Sequence, residues 1–337
     1  MLRAWDSRRL IDLLADNGLA DAAEEPFPND GWSGSELSLL RRGETRFVLK
    51  RTSAAADWIV RATRDRALRE AVVAAGELPL PEGVTDHYLG AAADGLGAAI
   101  LMPDLTGALF DWERAIERDD LHRVLNSIAA LHASTAEVAP GFPWCPVRER
   151  VALLTRRSAE GYLAAGLAVG QRFIDGWDAF DRGAEPAARD LVRRLSSDVG
   201  PLLAAVDRLP PALLHGDLKL ANVGFVDDEM VLIDWQMVTR APIAVELGWL
   251  LVSNVASLPE PPDAVVERYR AAAATAGVEV GDWDGQLDLT WLVGLLLRGW
   301  RKGLDAEAGT LTGWGASGSE DLAWWSRRAV EAADRRL

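Results

Sequence analysis

Two short apolar runs, Val223 to Val226 and Met230 to Ile233, flank the acidic triplet Asp227-Asp228-Glu229. Runs of this length around a three-residue connection predict an antiparallel β-hairpin. If Val226 pairs with Met230, the constant sum of paired positions carries Asn222 opposite Asp234. An amide and a carboxylate then face each other at the open end. Upstream, Leu213-Leu214 predicts a buried strand that delivers Asp217 to the same end on a polar turn.

Elsewhere the pattern alternates between short strands and longer helices, an α+β chain. Leu10, Ile11, Leu13 and Leu14 predict a helix over 6–19 that ends near Gly18. After Pro26 and Pro28 comes a Gly- and Ser-rich stretch, Asn29 to Glu36, then apolar Leu37 to Leu40, a turn at Arg41-Arg42-Gly43-Glu44, and a strand over 46–50 that ends on Lys50. Between Asp57 and Gly76 the spacing of Ala67, Leu68, Ala71, Val72 and Ala75 predicts one helix. Glu70 lies beside that stripe, where it can pair with Arg66 on the same helix or reach a partner elsewhere. Pro79 and Pro81 end the helix, and Tyr88-Leu89 begins another strand region. Ala98 to Met102 is a fully apolar run of the kind buried on both faces, followed by Pro103-Asp104-Leu105-Thr106-Gly107.

From Asp111 onward the chain reads as mostly helical. Leu121, Val124, Leu125, Ile128 and Leu131 share one face of a helix that ends on His132, expected to be a structural histidine. Residues 151–209 read as further helices without an internal repeat. Near the C-terminus, Arg298, Arg301 and Lys302 are expected to face water, an anionic group being the alternative. Trp300, Trp314, Trp324 and Trp325 are core or pocket wall.

Composition narrows the function. The chain has 337 residues, 49% of them hydrophobic, enough for one large or two modest domains. Asp and Glu outnumber Lys and Arg by 51 to 36, a net charge of −15. That balance argues against nucleic-acid backbones as partners and would tolerate or attract a cationic substrate. The single cysteine, Cys145, cannot form an intrachain disulfide, and four scattered histidines make no zinc-type cluster. A reducing, cytoplasmic location is expected. The stretch from Met1 to Arg9 has no apolar signal core, and the run 291–297 is too short to span a bilayer, so no membrane partner is expected.

The chemistry gathers at the hairpin. Magnesium takes a few hard oxygen ligands and completes its octahedron with waters and phosphate oxygens, so one Asn and one Asp make a workable protein share. A carboxylate free of metal, here Asp217, can take the proton of an attacking hydroxyl. The string His215-Gly216-Asp217-Leu218-Lys219 with Asn222, followed by Ile233-Asp234-Trp235, resembles the catalytic loop and metal motif of aminoglycoside phosphotransferase and choline kinase-like enzymes.

That resemblance covers nearly the whole chain and implies a protein-kinase-like two-lobed fold. The implied parts are a β-rich N-terminal lobe over 1–102, a hinge over 103–107 and a mainly helical C-terminal lobe over 108–337. It implies ATP and Mg2+ as cofactors, Asp217 as catalytic base, and Asn222 and Asp234 as metal ligands. It further implies that Lys50 contacts the α and β phosphates with Glu70 as its partner. The loop carrying Gly34 and Ser35 would fold over the phosphates. Adenine would meet Pro103 C=O and Leu105 N–H, since proline has no N–H to give.

Two features point away from protein kinases. Gly216 stands where kinases gated by loop phosphorylation carry an arginine. Only twelve positions separate Asp234 from Glu246, too few for a long peptide-docking segment. Glu246 itself departs from the aspartate usual in this family, and can accept the same backbone amides with one more methylene and a shifted helix. The expected activity is phosphorylation of a small hydroxyl-bearing molecule. Aminoglycoside-like antibiotics are one acceptor class, and choline-like, sugar or homoserine-like metabolites another. A nucleotide-binding pseudokinase that regulates a partner is the alternative, although every chemical position carries a competent residue. The sequence is silent on oligomeric state.

Overall fold

The computed structural model describes residues 3–28, 31–111 and 115–337. Met1 and Leu2 of the N-terminal stretch, Asn29 and Asp30 of the Gly- and Ser-rich loop, and 112–114 at the start of the expected helical region lie outside the described residues.

The N-terminal part runs α1 (Leu10–Asp16), β1 (Glu25–Pro26), β2 (Glu36–Arg42), β3 (Thr45–Thr52), α2 (Trp58–Ala62), α3 (Arg69–Ala74), β4 (Val84–Thr85), β5 (Gly90–Asp94) and β6 (Gly97–Pro103). Five of these strands form one antiparallel sheet in the order β1-β2-β3-β6-β5. β6 lies between β3 and β5, is apolar on both faces, and is buried from Gly97 to Met102. β3 carries Lys50 and continues past it to Thr52, so the lysine sits within the strand and not at its end. Its register puts Lys50 opposite Leu37 on one side and Ile100 on the other.

The helix expected between Asp57 and Gly76 is broken. α2 ends at Ala62 and α3 starts at Arg69, with Arg64 and Leu68 both at φ +53° between them. Side chains cause the break by competing for backbone groups. Thr63 Oγ1 donates to Ile59 C=O, and Asp65 accepts the Arg69 amide at 2.8 Å. Apolar spacing alone does not register that competition. The break places Glu70 in the first turn of a new helix, where a carboxylate suits the positive end of the helix dipole.

The C-terminal part is helical around two small sheets. α4 (Arg118–Ala133), α5 (Val147–Ala152), α6 (Arg156–Ala164), α7 (Val169–Gly183), α8 (Pro186–Ser197) and α9 (Gly200–Val206) precede β7 (Ala212–Leu214), β8 (Val223–Val226), β9 (Glu229–Leu232) and β10 (Thr239–Ala241). α10 (Ile243–Ser253), α11 (Pro262–Ala276), α12 (Trp283–Ala308) and α13 (Gly318–Arg336) follow. β7 pairs with β10, while β9 lies between β8 and the parallel β4. The β-rich and helical parts together form a protein-kinase-like fold. No helix among the described residues is long and apolar enough to cross a membrane.

The predicted hairpin forms, with its register one residue from expectation. Val226 pairs with Glu229, not Met230, so the connection is the two residues Asp227 and Asp228. Both adopt positive φ, +49° and +68°, the signature of a type I′ turn matched to strand twist. Asp tolerates this conformation better than most residues because its short polar side chain bonds locally. In consequence Asn222 C=O receives the amide of Ile233, and Asp234 lies one position further out.

The burial of the late basic residues also corrects expectation. Lys302 is 2% exposed and paired with Asp321 at 2.5 Å, and Arg298 is folded against the rings of Trp249 and Trp300. Arg298 and Arg301 are both half-buried, and Arg301 pairs with Asp305. α12 is packed on nearly all sides, so its polar positions turn inward. Trp300 and Trp325 are fully buried, and Trp291 and Trp325 stack edge-on at 5.3 Å.

Asp57 caps α2 through the amides of Ile59 (2.7 Å) and Val60 (3.1 Å), and Ser35 Oγ donates to it at 2.9 Å. The cap therefore fastens the Gly- and Ser-rich loop to the helix. Asp57→Ala is expected to lower stability by about 1–2 kcal/mol in urea unfolding, while Asp57→Asn, an equally good cap, stays close to wild type.

Candidate active site

β3 and α3 bring the first pair of functional side chains together. Lys50 Nζ lies 2.6 Å from Glu70 Oε2, so Glu70 turns inward and does not pair with Arg66. The same ammonium reaches Asp234 Oδ1 at 2.9 Å, which joins the sheet to the helical part. Burial alone would lower the Lys50 pKa, but Asp234 and Glu70 outweigh it and hold the ammonium well above the ordinary lysine range. Asp234 is held below the ordinary carboxylate range, Lys50 and Lys219 outweighing the opposing effect of burial.

Asp234 stands in the left-handed region at φ +67°, ψ +54°. A non-glycine residue held there is strained by about 1 kcal/mol or more and needs its surroundings to hold it. Tyr88 does so: its hydroxyl accepts the Asp234 amide at 2.9 Å and donates to Glu70 Oε1 at 2.9 Å. Sequence reasoning saw Tyr88 only as a strand residue. Its role depends on meeting a residue 146 positions away, which no local pattern announces.

The loop after β7 carries the second group. Asn222 Nδ2 donates to the Asp217 carbonyl at 2.9 Å and lies 3.4 Å from Asp217 Oδ2. Lys219 Nζ meets that same Oδ2 at 3.1 Å. The other carboxylate oxygen, Oδ1, is buried and has no hydrogen-bond partner among the described residues. A buried acceptor without a donor is uncommon and signals a donor that arrives from outside. Lys219 was part of the motif without a role of its own, and its spacing two residues after Asp217 was the available signal.

A network of hydrogen bonds locks the loop in place. Glu246 accepts the amides of Gly216 (2.7 Å) and His215 (3.1 Å). His132 Nε2–H donates to Glu246 at 3.0 Å, and its Nδ1 accepts the Tyr269 hydroxyl at 2.6 Å. Thus His132 is structural, as expected, and Glu246 makes the amide bonds expected of an aspartate there. His215 accepts the Asp217 amide on Nδ1 at 3.3 Å and donates from Nε2 to Ile233 C=O at 2.9 Å. Gly216 has φ +85°, and a Cβ there would run into the Met237 carbonyl. Arg150 Nε donates to Gly216 C=O at 2.5 Å. Cys145 is 1% exposed and burial pushes its thiol up to about 11, as befits a packed side chain.

The remaining expected positions lie around this centre. Gly34 has φ +95° and packs its backbone on the Ala56 carbonyl, while Ser35 is buried with its hydroxyl on Asp57. Phe47 pairs with Pro103, and the Asp104 amide bonds to Arg46 C=O. That pattern makes 47/103 a non-hydrogen-bonded pair, so Pro103 C=O points away from β3, beyond the end of β5 at Gly90. Among the described residues Leu105 N–H makes no hydrogen bond, and Leu105 C=O accepts the amides of Ala108 and Leu109.

The donors available for a metal are hard oxygens. Asn222 commits its Nδ2 to Asp217, which leaves its amide oxygen free of protein donors among the described residues, and Asp234 commits Oδ1 to Lys50. This set fits Mg2+ with waters and phosphate oxygens completing the shell.

Comparisons with known proteins bear on the family and the fold. A model of the phosphotransferase enzyme family matches residues 26–285. Among curated proteins no sequence matches the chain. Among solved structures, a choline kinase from Cryptosporidium parvum Iowa II is 11% identical with a TM-score of 0.51, over 97% of this chain and 96% of that one. An aminoglycoside-3′-phosphotransferase of type VIII is 19% identical with a TM-score of 0.46, over 86% of this chain and 98% of that one. The choline kinase LicA from Streptococcus pneumoniae is 10% identical with a TM-score of 0.49, over 96% and 98%.

Burial pushes the pKa of His215 below its ordinary 6.5, so the native ring is neutral. The unfolded chain then takes up a proton first as pH falls below that value, and the native state loses stability. His215→Gln keeps an N–H donor without a titrating ring. Urea unfolding at about pH 7.5 and about pH 5.5 is expected to show a smaller acid-side loss for His215→Gln than for wild type.

Proposed function

Because the chain belongs to the phosphotransferase enzyme family, we propose that it is an ATP-dependent O-phosphotransferase acting on a small hydroxyl-bearing molecule. One observation carries this reading: Asp217 Oδ1 is buried without a partner while Oδ2 is tied to Lys219. A carboxylate with one oxygen anchored and the other open can orient an incoming hydroxyl and take its proton. A small acceptor is favoured over a peptide because residues 235–250 are all buried except Arg240, which leaves no exposed platform after Asp234.

In this reading Lys50, positioned by Glu70, binds the α and β phosphates. Asn222 and Asp234 hold Mg2+, which neutralises charge developing on the phosphate oxygens. Lys219, beside Asp217, faces the charge on the moving phosphoryl group. Pro103 C=O and Leu105 N–H receive the adenine edge. The loop at Gly34 and Ser35 offers backbone to the phosphates, since the Ser35 hydroxyl is already engaged. Glu246 and His215 keep the Asp217 backbone fixed, so little reorganisation accompanies the transfer.

Asp217→Asn is expected to bind Mg-ADP like wild type and to lose about 10²- to 10⁴-fold in turnover, measured as ADP release over a panel of small alcohols. Asp234→Ala is expected to weaken Mg-ADP binding as well, measured by calorimetry. Equal turnover in Asp217→Asn and wild type would remove the base assignment.

A further inference from the structure

Arg150 is fully buried, yet its Nη1 and Nη2 have no hydrogen-bond partner among the described residues. Only Nε is engaged, on the carbonyl of Gly216, the residue before Asp217. Its guanidinium lies over the ring of Trp249, 4.5 Å from the centroid. Arg298, from α12, stands 5.7 Å from the centroid of the same ring and 5.5 Å from that of Trp300. Among the described residues Arg298 makes no ion pair, and its Nε is likewise buried without an acceptor. Both cations are close enough to Asp217 to feel its charge. Burial, reinforced by the neighbouring Arg301, lowers the pKa of Arg298 to about 10.

A buried guanidinium without a counter-ion is costly, and native folds pair such groups. Here most nearby carboxylate oxygens are committed elsewhere. Glu246 holds the loop amides, Asp305 pairs with Arg301, and Asp217 has Oδ2 on Lys219, while its Oδ1, close enough to act on both cations, accepts a hydrogen bond from neither. The donors therefore point to an acceptor that the protein does not itself supply. A planar N–H fork matches a carboxylate or phosphate in two-point contact, and an indole beside it gives an apolar wall for a carbon skeleton. The net charge of −15 concerns the molecule as a whole, and does not set the sign of this enclosed corner.

We infer that Arg150 and Arg298, which both lie against Trp249, form an anion-binding subsite for the acceptor, which is a hydroxyl compound carrying a carboxylate or phosphate group and not a cationic amine. This rests on the phosphotransferase reading above and deepens it. The anion docks on the two guanidinium groups, and the hydroxyl is thereby held toward Asp217 Oδ1.

The test uses four pyranoses that differ in charge: glucuronate, glucose 6-phosphate, glucose and glucosamine. Calorimetry in the presence of Mg-ADP reads binding, and ADP release reads turnover. Glucuronate or glucose 6-phosphate is expected to bind at least about tenfold more tightly than glucose and glucosamine, and which of the two wins separates carboxylate from phosphate. Arg298→Gln is expected to erase that preference, Arg298→Lys to keep part of it, and both to leave Mg-ADP affinity unchanged. Tighter binding of glucosamine, no binding of either anion up to about 10 mM, or a preference unaltered in Arg298→Gln would overturn the inference. Such a result, with Mg-ADP binding intact and sensitive to Asp234→Ala, leaves the phosphotransferase reading standing. Loss of the anion preference together with Mg-ADP affinity in Arg298→Gln assigns the cations to the nucleotide instead, and also overturns it.

Discussion

The buried contact of Lys50 with Glu70 and Asp234 is the constraint from which the rest of the molecule follows. Three charges from β3, α3 and the end of the β8–β9 hairpin meet with little water around them. Each had to be stripped of solvent, which costs several kcal/mol per ion, so the arrangement is a poor way to gain stability. Removing one member of such a group strands the others and typically destabilises by about 3–5 kcal/mol. What the triad secures is geometry: a fixed cation between the sheet and the helical part.

The two arms of the triad differ. The Glu70 side chain is 4% exposed and also bonded to Tyr88, whereas Asp234 is 21% exposed. Glu70 is thus the permanent partner, and Asp234 the one that can exchange its contact with Lys50 for another ligand. The strain at Asp234, φ +67°, belongs to the same logic, because Tyr88 holds the backbone while the carboxylate stays addressable. Backbone strain of this kind, held in place by its surroundings, is common at functional sites.

Much of this was legible in the chain, for reasons that can be named. The string from His215 to Asp234 packs a loop, a hairpin and three polar residues into a short span, so local rules come close to determining it. They failed by one position in the hairpin, because two aspartates in left-handed conformation shortened the turn from three residues to two. They failed between Asp57 and Gly76, because Thr63 and Asp65 draw backbone bonds away from a helix that apolar spacing favours. Lys50 and Glu70 could be paired only through a resemblance, since nothing in either segment points to the other. Tyr88, Arg150 and the inward turn of Arg298 were out of reach. Periodicity tells which face of a helix is apolar, and says nothing of a polar residue that tertiary packing encloses from every side.

The catalytic loop shows why those enclosed residues matter. The two peptide groups that flank Gly216 are each gripped by a charged side chain. Glu246, a carboxylate, takes the Gly216 N–H, and Arg150, a guanidinium, gives to the Gly216 C=O. Each bond involves a charged group in a dry setting, where such bonds are short and strong. No side chain could intervene at position 216, since the Met237 carbonyl occupies the place of a Cβ. Glu246 is in turn held by His132 and, through it, by Tyr269 of α11, so the grip extends into the packed helices. A carboxylate one residue further on, Asp217, inherits that fixity without forming any of those bonds with Oδ1. The outcome is a carboxylate whose position is set by its neighbours and whose Oδ1 makes no hydrogen bond among the described residues.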